Sequence, residues 1–153
     1  MSHRTMHGCE LCDADGGTVI FRRQKWRVVR VTGAEGDAFP GFCRVIWNAH
    51  VKELTDLAPA DRQQFMEVVF QVEAALRASL APHKMNVASL GNLTPHLHWH
   101  VIPRFADDPA FPRPIWAVSL AAAASLDTLV VKHRRGTEDG EWEKAVRRAL
   151  ESV

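Results

Sequence analysis

Three histidines alternate strictly in the segment Gly91-Asn92-Leu93-Thr94-Pro95-His96-Leu97-His98-Trp99-His100-Val101-Ile102-Pro103-Arg104. On an extended strand alternate side chains share a face, so His96, His98 and His100 should point one way and Leu97, Trp99 and Val101 the other. At a rise of roughly 3.3 Å per residue, successive imidazoles of the row lie about 7 Å apart. Three readings are open for such a row. It can be a histidine-rich surface strand with no role. It can hold a catalytic metal, since imidazole is the commonest ligand, although no acidic residue lies between Thr94 and Ala106 to complete the set. In the third, a neutral imidazole attacks phosphorus while its other nitrogen is held in one tautomer. Neighbouring imidazoles then donate to the phosphoryl oxygens and protonate the leaving group. His98, the central residue, has a neighbour on each side, which is what this last chemistry needs. Gly91, Asn92 and Thr94, just before the row, can offer backbone N–H groups and small polar side chains to an anion. The remaining histidines, His3, His7, His50, His83 and His133, are scattered.

Cys9-x-x-Cys12 has the spacing of a metal knuckle, which two small residues of a mobile tail or a redox pair would equally produce. With Cys43 the cysteines make an odd, sparse set of three, better suited to a reducing compartment than to a disulfide scaffold. Cys43 falls on a strand-like run and reads as a small buried hydrophobe. The 19 Lys+Arg nearly cancel the 18 Asp+Glu, so neither duplex DNA nor an anionic membrane is expected to be recruited by bulk electrostatics. A local anion site stays possible. The longest apolar candidate, Ala117 to Leu126, is too short and alanine-rich to span a bilayer, and the first residues carry no apolar core of a secretory signal. The cytoplasm is the expected address.

The elements that must position the histidines follow from periodicity. A chain of 153 residues is expected to form one domain with a sizeable core. Residues 1–17 are polar and glycine-rich. Thr18–Phe21 and Trp26–Val31 are β-prone runs around Arg22-Arg23-Gln24-Lys25 and predict a hairpin, Gly33–Gly41 a loop, and Phe42–Trp47 a third strand. Pro59 opens and Pro82 stops a long helix, whose Phe65, Val69, Val72, Leu76 and Leu80 form one apolar stripe. Met85–Leu90 and His96–Ile102 complete the strands. A late helix near Glu141–Glu151 carries Trp142, Val146, Ala149 and Leu150 on one face. The expected class is α+β: an antiparallel sheet of about five strands, one long helix packed on it, and a C-terminal helical extension.

The run His96-Leu97-His98-Trp99-His100-Val101-Ile102 resembles the H-φ-H-φ-H-φ-φ signature of the histidine triad (HIT) family of nucleotide hydrolases and transferases. The resemblance extends over roughly residues 9–104. The stretches GFCRVIWNAHVKELTDL, SLGNLTPHLHWHVIPR and FPRPIW look like its proteobacterial, diadenosine tetraphosphate hydrolase-like branch. It divides the chain into an N-terminal segment 1–17, a HIT domain 18–116 and an extension 117–153. It implies that His98 attacks the α-phosphate of a dinucleoside polyphosphate or a nucleoside phosphoramidate, and that water releases the mononucleotide from a nucleotidyl-histidine. His100 falls on the third triad position, near phosphate and leaving group. His96 falls on the first, whose carbonyl orients the nucleophile. Asn92 and Thr94 match phosphate-contacting loop residues, Glu35 or Asp37 the loop of the ribose-binding acid, with Asp37 the expected one, and Phe42 with Ile46 an apolar cleft for adenine. A nucleotide partner and a homodimer are implied as well. The chain departs from the pattern at Pro40-Gly41-Phe42, where many relatives carry Pro-x-His, so the fourth active-site histidine is missing. A catalytically weak nucleotide-binding or interaction module, and a histidine-metal enzyme, are the alternatives.

Some relatives also complete a structural Cys2His2 zinc site with a histidine beyond the third strand and the first triad histidine. By that resemblance Cys9, Cys12, His50 and His96 would bind zinc, with His7 a spare ligand, leaving His98 metal-free.

Overall fold

The computed structural model describes residues 5–117 and 140–153. Helix α1 (Glu10–Asp13) precedes a hairpin of β1 (Thr18–Arg22) and β2 (Trp26–Arg30), followed by α2 (Gly33–Ala38), β3 (Cys43–Trp47) and a 3-10 turn at Leu54–Asp56. Then come α3 (Pro59–Leu80), β4 (Lys84–Ala88), β5 (His98–Arg104), a second 3-10 turn at Ile115–Ala117 and α4 (Glu141–Leu150). The strands form a five-stranded sheet in the order β1-β2-β3-β5-β4, every neighbouring pair antiparallel. This is the expected α+β class.

Helix α3 begins where Pro59 can start it, because a first-turn N–H has no intrahelical acceptor to lose. It ends at Ala81, which turns left-handed (φ 45°) and returns its N–H to the Arg77 carbonyl, and Pro82 cannot continue the helix. Its buried stripe, with Phe65, Val69, Val72 and Leu76, packs on Trp26, Val28, Val45 and Val101, the alternate residues of three strands that share one face. Trp142, Val146 and Leu150 of α4 are buried in the same core, against α3 and β1. The late helix therefore closes the main core. The alanine-rich stretch beyond Ala117 lies outside the described residues. Among the described residues no helix is long and apolar enough to cross a membrane.

Two departures from the sequence reading shape the site. The segment predicted as loop contains α2, six residues with two glycines and no apolar period to announce it. Gly36 permits its seat: a Cβ there would lie 2.1 Å from the Val31 carbonyl oxygen. The histidine strand starts at His98 instead of His96, because the His96 N–H is spent on the Thr94 carbonyl at 2.8 Å, closing a turn around Pro95. At its far end the strand runs on to Arg104, paired with Lys84 of β4.

Candidate functional site

Strand β5 lies between β3 and β4, and its face away from α3 carries His98 and His100. The His98 Nδ1 atom is 2.6 Å from the His96 carbonyl oxygen. A carbonyl only accepts, so Nδ1 bears the proton and Nε2 keeps the lone pair. The strand beneath is steadied by Ser89, whose hydroxyl donates to the His98 carbonyl at 2.8 Å. Burial lowers the His98 pKa below the usual imidazole value and the nearby Arg44 charge adds to it, whereas the His96 carbonyl works the other way. His98 is thus neutral at physiological pH. His100 lies 4.7 Å from His98 between ring centroids, with Phe42 at 5.6 Å and Trp116 at 4.9 Å around it. Burial first, then the charges of His98 and Arg44, push its pKa down to about 3.

These two imidazoles open on a cleft of about 470 Å³. Its walls are the Gly91–Thr94 loop, Glu10 and Leu11 of α1, Glu35 of α2, Arg44 of β3 and Trp116. Asn92 and Thr94 line it. Phe42 does not: it is 1% exposed and packs behind His100 with Phe39, Ile102 and Ile115. Ile46 is likewise sealed, under Cys9, Leu11 and Val29. Asp37 is exposed and absent from the cleft wall, whereas Glu35 lines it, accepting from Arg44 at 3.0 Å and from the Trp116 indole at 3.3 Å. Arg44 is the residue that sequence reasoning passed over. A charge inside the apolar strand run FCRVIW, on the face opposite Cys43 and Val45, is the signal that marks it.

The segment after β5 is folded onto the sheet by a buried ion pair. Arg104 donates to both Asp108 oxygens (2.7 and 2.9 Å), to Asn86 Oδ1 and to the Arg113 carbonyl. Asp108 also accepts the backbone N–H groups of Phe105, Ala110 and Phe111. Burial alone would raise the Asp108 pKa, but Arg104 and these amides hold it below the ordinary carboxylate value. The network carries the chain round to Trp116 and so builds one wall of the cleft.

On the other side of His98, Cys9, Cys12, His50 and His96 bring their ligand atoms within 4.8 Å of one another. The His96 Nε2–H donates to the Trp47 carbonyl at 2.6 Å, which leaves the Nδ1 lone pair facing Cys9 Sγ at 3.4 Å and Cys12 Sγ at 3.5 Å. His50 Nδ1 lies 3.5 Å from Cys12 Sγ. With ordinary zinc bond lengths the S···N edge of a tetrahedron is about 3.6 Å, so this donor set fits zinc in both chemistry and spacing. Among the described residues neither His98 nor His100 belongs to such a cluster.

Comparison with known proteins agrees with this architecture. A histidine triad protein from Bradyrhizobium japonicum superposes with a TM-score of 0.70 at 24% identity, over 97% of this chain and 99% of that one. One from Marinobacter aquaeolei VT8 gives 0.65 at 20%, over 99% and 96%. A Zn-bound histidine triad family protein from Mycobacterium smegmatis gives 0.54 at 22%, over 93% and 90%. No curated protein matches the chain. The HIT domain profile matches residues 23–107, more than half of the sequence and both of the strands that build the cleft floor. The chain therefore belongs to the HIT domain family, whose members bind nucleotides and are often nucleotide hydrolases or transferases.

Proposed function

We propose that the protein hydrolyses a dinucleoside polyphosphate at its α-phosphate through a nucleotidyl-histidine on His98, as in the diadenosine tetraphosphate hydrolase-like branch. The observation that carries this reading is the 2.6 Å bond from His98 Nδ1 to the His96 carbonyl. It leaves a neutral Nε2 lone pair at the cleft, which is the state a nucleophile needs. In the first step Nε2 bonds to phosphorus, the bond to the bridging oxygen breaks, and that oxygen departs with its electron pair. The ring is then cationic, its Nδ1–H still held by the carbonyl. Water attacks the same phosphorus, the P–N bond breaks with its electron pair returning to Nε2, the proton that water sheds passes to the released polyphosphate or to solvent, and His98 returns to its neutral tautomer. Asn92, Thr94 and Gly91 line the same cleft as His98, which supports the reading that this loop receives the phosphoryl oxygens.

The leaving group is argued from the two neighbours of the nucleophile. His100 is neutral at physiological pH, and Phe42 stands where a fourth histidine would be. Neither supplies a strong acid. A phosphate leaves without a proton, whereas an amine requires one, so the site favours a polyphosphate over a phosphoramidate. The metal-enzyme alternative finds no support in the ligand geometry, since the one metal-competent cluster among the described residues omits His98 and His100. Cys9, Cys12, His50 and His96 would hold zinc as a structural cross-link of the N-terminal segment to the sheet, with no part in the bond-breaking steps. The reading includes a homodimer, supported by exposed Val87 on the edge strand β4, and a monomeric mass by light scattering at micromolar concentration would remove that part.

The test is mass spectrometry after brief mixing with diadenosine tetraphosphate and an adenosine phosphoramidate, quenched under mildly alkaline conditions. A nucleotidyl adduct on the wild type and none on His98→Ala is expected, with tetraphosphate the faster substrate. Neither adduct nor turnover in the wild type would overturn the reading.

A further inference from the structure

One ion pair in the cleft has no part in the hydrolytic steps. Arg44 is the cross-strand partner of His100, and its guanidinium reaches Glu35 Oε2 at 3.0 Å, the two side chains 21% and 22% exposed. Both residues line the cleft beside the nucleophile. Their hydrogen bonding is incomplete. Glu35 Oε1 receives a long 3.3 Å bond from the Trp116 indole, Arg44 Nη1 makes only a long 3.4 Å bond to the Gly16 carbonyl, and Arg44 Nε is buried with no acceptor.

A guanidinium already neutralised by a carboxylate is a poor phosphate site, because the phosphate drawn to Arg44 would be repelled by Glu35. Donor and acceptor side by side instead suit a neutral planar edge that carries an acceptor next to a donor. Trp116, 43% exposed on the cleft wall, adds an aromatic face on which a flat ring can stack. A cleft of this volume is large enough for one nucleotide unit.

Resting on the nucleotide-hydrolase reading, we propose that Glu35, Arg44 and Trp116 form a nucleobase-reading site selective for 6-oxopurines, guanine above all. The guanine O6 accepts from Arg44, and the adjacent N1–H donates to Glu35. The 2-amino group donates to the second carboxylate oxygen in place of the long indole bond. Adenine sets an amino donor against Arg44 and a bare ring nitrogen against Glu35, so both contacts turn repulsive unless the base is turned over. Hypoxanthine keeps the first two bonds and lacks the third. Bidentate base contacts of this kind discriminate by roughly 10- to 100-fold.

The experiment measures kcat/KM for diguanosine, diinosine and diadenosine tetraphosphates, together with calorimetric Kd values for GMP, IMP and AMP on His98→Ala. The wild type should prefer guanine to adenine by about tenfold or more, with hypoxanthine between them. Glu35→Gln and Arg44→Lys should each bring the guanine-to-adenine ratio towards one. A wild-type ratio within about threefold in both assays, or a ratio unchanged in both variants, overturns the proposal. The wild-type ratio does not depend on how well a variant folds. Failure of the hydrolase reading is separate: no turnover of any tetraphosphate, with GMP still bound selectively, would remove hydrolysis and keep base reading. Equal hydrolysis of all three with no selective binding would do the reverse.

Discussion

At the scale of single residues, the site works by assigning protons. Two imidazoles have one nitrogen committed to a backbone carbonyl, His98 through Nδ1 and His96 through Nε2, and each is left with a lone pair on the side where it is wanted. Replacing His98 by alanine should therefore abolish the adduct and lower kcat/KM by at least ~10³-fold while leaving nucleotide affinity within a few-fold. A second consequence concerns pH. The folded-state pKa of His100 is about 3, against an ordinary value of 6.5. Between those values the unfolded chain holds a proton that the folded chain does not, so this contribution is fully present above the unfolded pKa and lost as pH falls below it. His100 alone should cost about 2 kcal/mol between pH 7.5 and pH 5, and the lowered pKa of His98 acts in the same direction. Urea titrations at the two pH values check this; in His100→Gln the acid loss should shrink. The roles of these residues were legible in part. Strict alternation marked out His98 and His100, but the tautomers depend on carbonyls of His96 and Trp47 whose positions no spacing rule gives. Arg44 was visible as a charge in an apolar strand, and what it faces was not, because Glu35 reaches it from α2, which carries no periodic signal, and Trp116 from beyond β5.

At the scale of elements, the long helix and the five strands were readable because each carries a buried face with its own period, whereas α2 was not. Six residues with two glycines have no stripe to detect, and α2 owes its place to close approach on Val31. The same limit hid the segment after β5, whose path is set by Arg104 and Asp108 rather than by apolar pattern. Both side chains of that pair are 2% exposed, so removing one charge leaves the other buried and uncompensated. Asp108→Asn should destabilise the protein by about 3–5 kcal/mol in urea denaturation, far more than loss of the exposed Arg22–Asp15 pair. A destabilisation below about 1 kcal/mol would mean that the segment is held by its apolar contacts with Phe39 and Ile102 instead.

At the scale of the whole molecule, two distant segments complete a fold whose family match ends at residue 107. The N-terminal segment is tied to the sheet by Cys9 and Cys12 against His50 and His96, and it contributes Glu10 and Leu11 to the cleft. If zinc is the tie, purified protein should contain about one equivalent per chain. Chelation or Cys12→Ser should then lower Tm by at least ~5 °C and expose residues 5–17 to protease. Full zinc content in Cys12→Ser would show that the ligand set is wrong. The cysteine spacing was plain in the sequence, yet its partners lie 38 and 84 residues away from Cys12 and only the folded chain brings them together.

The other distant segment, α4, is built into the main core through Trp142, Val146 and Leu150. A ribosome delivers those residues after every strand and the long helix have already emerged. Until then α3 and β1 offer water the apolar surface that α4 will cover, so the main core cannot close before Leu150 has been added. A polypeptide stalled before that point presents quality-control machinery with an open core, however intact its histidine strand.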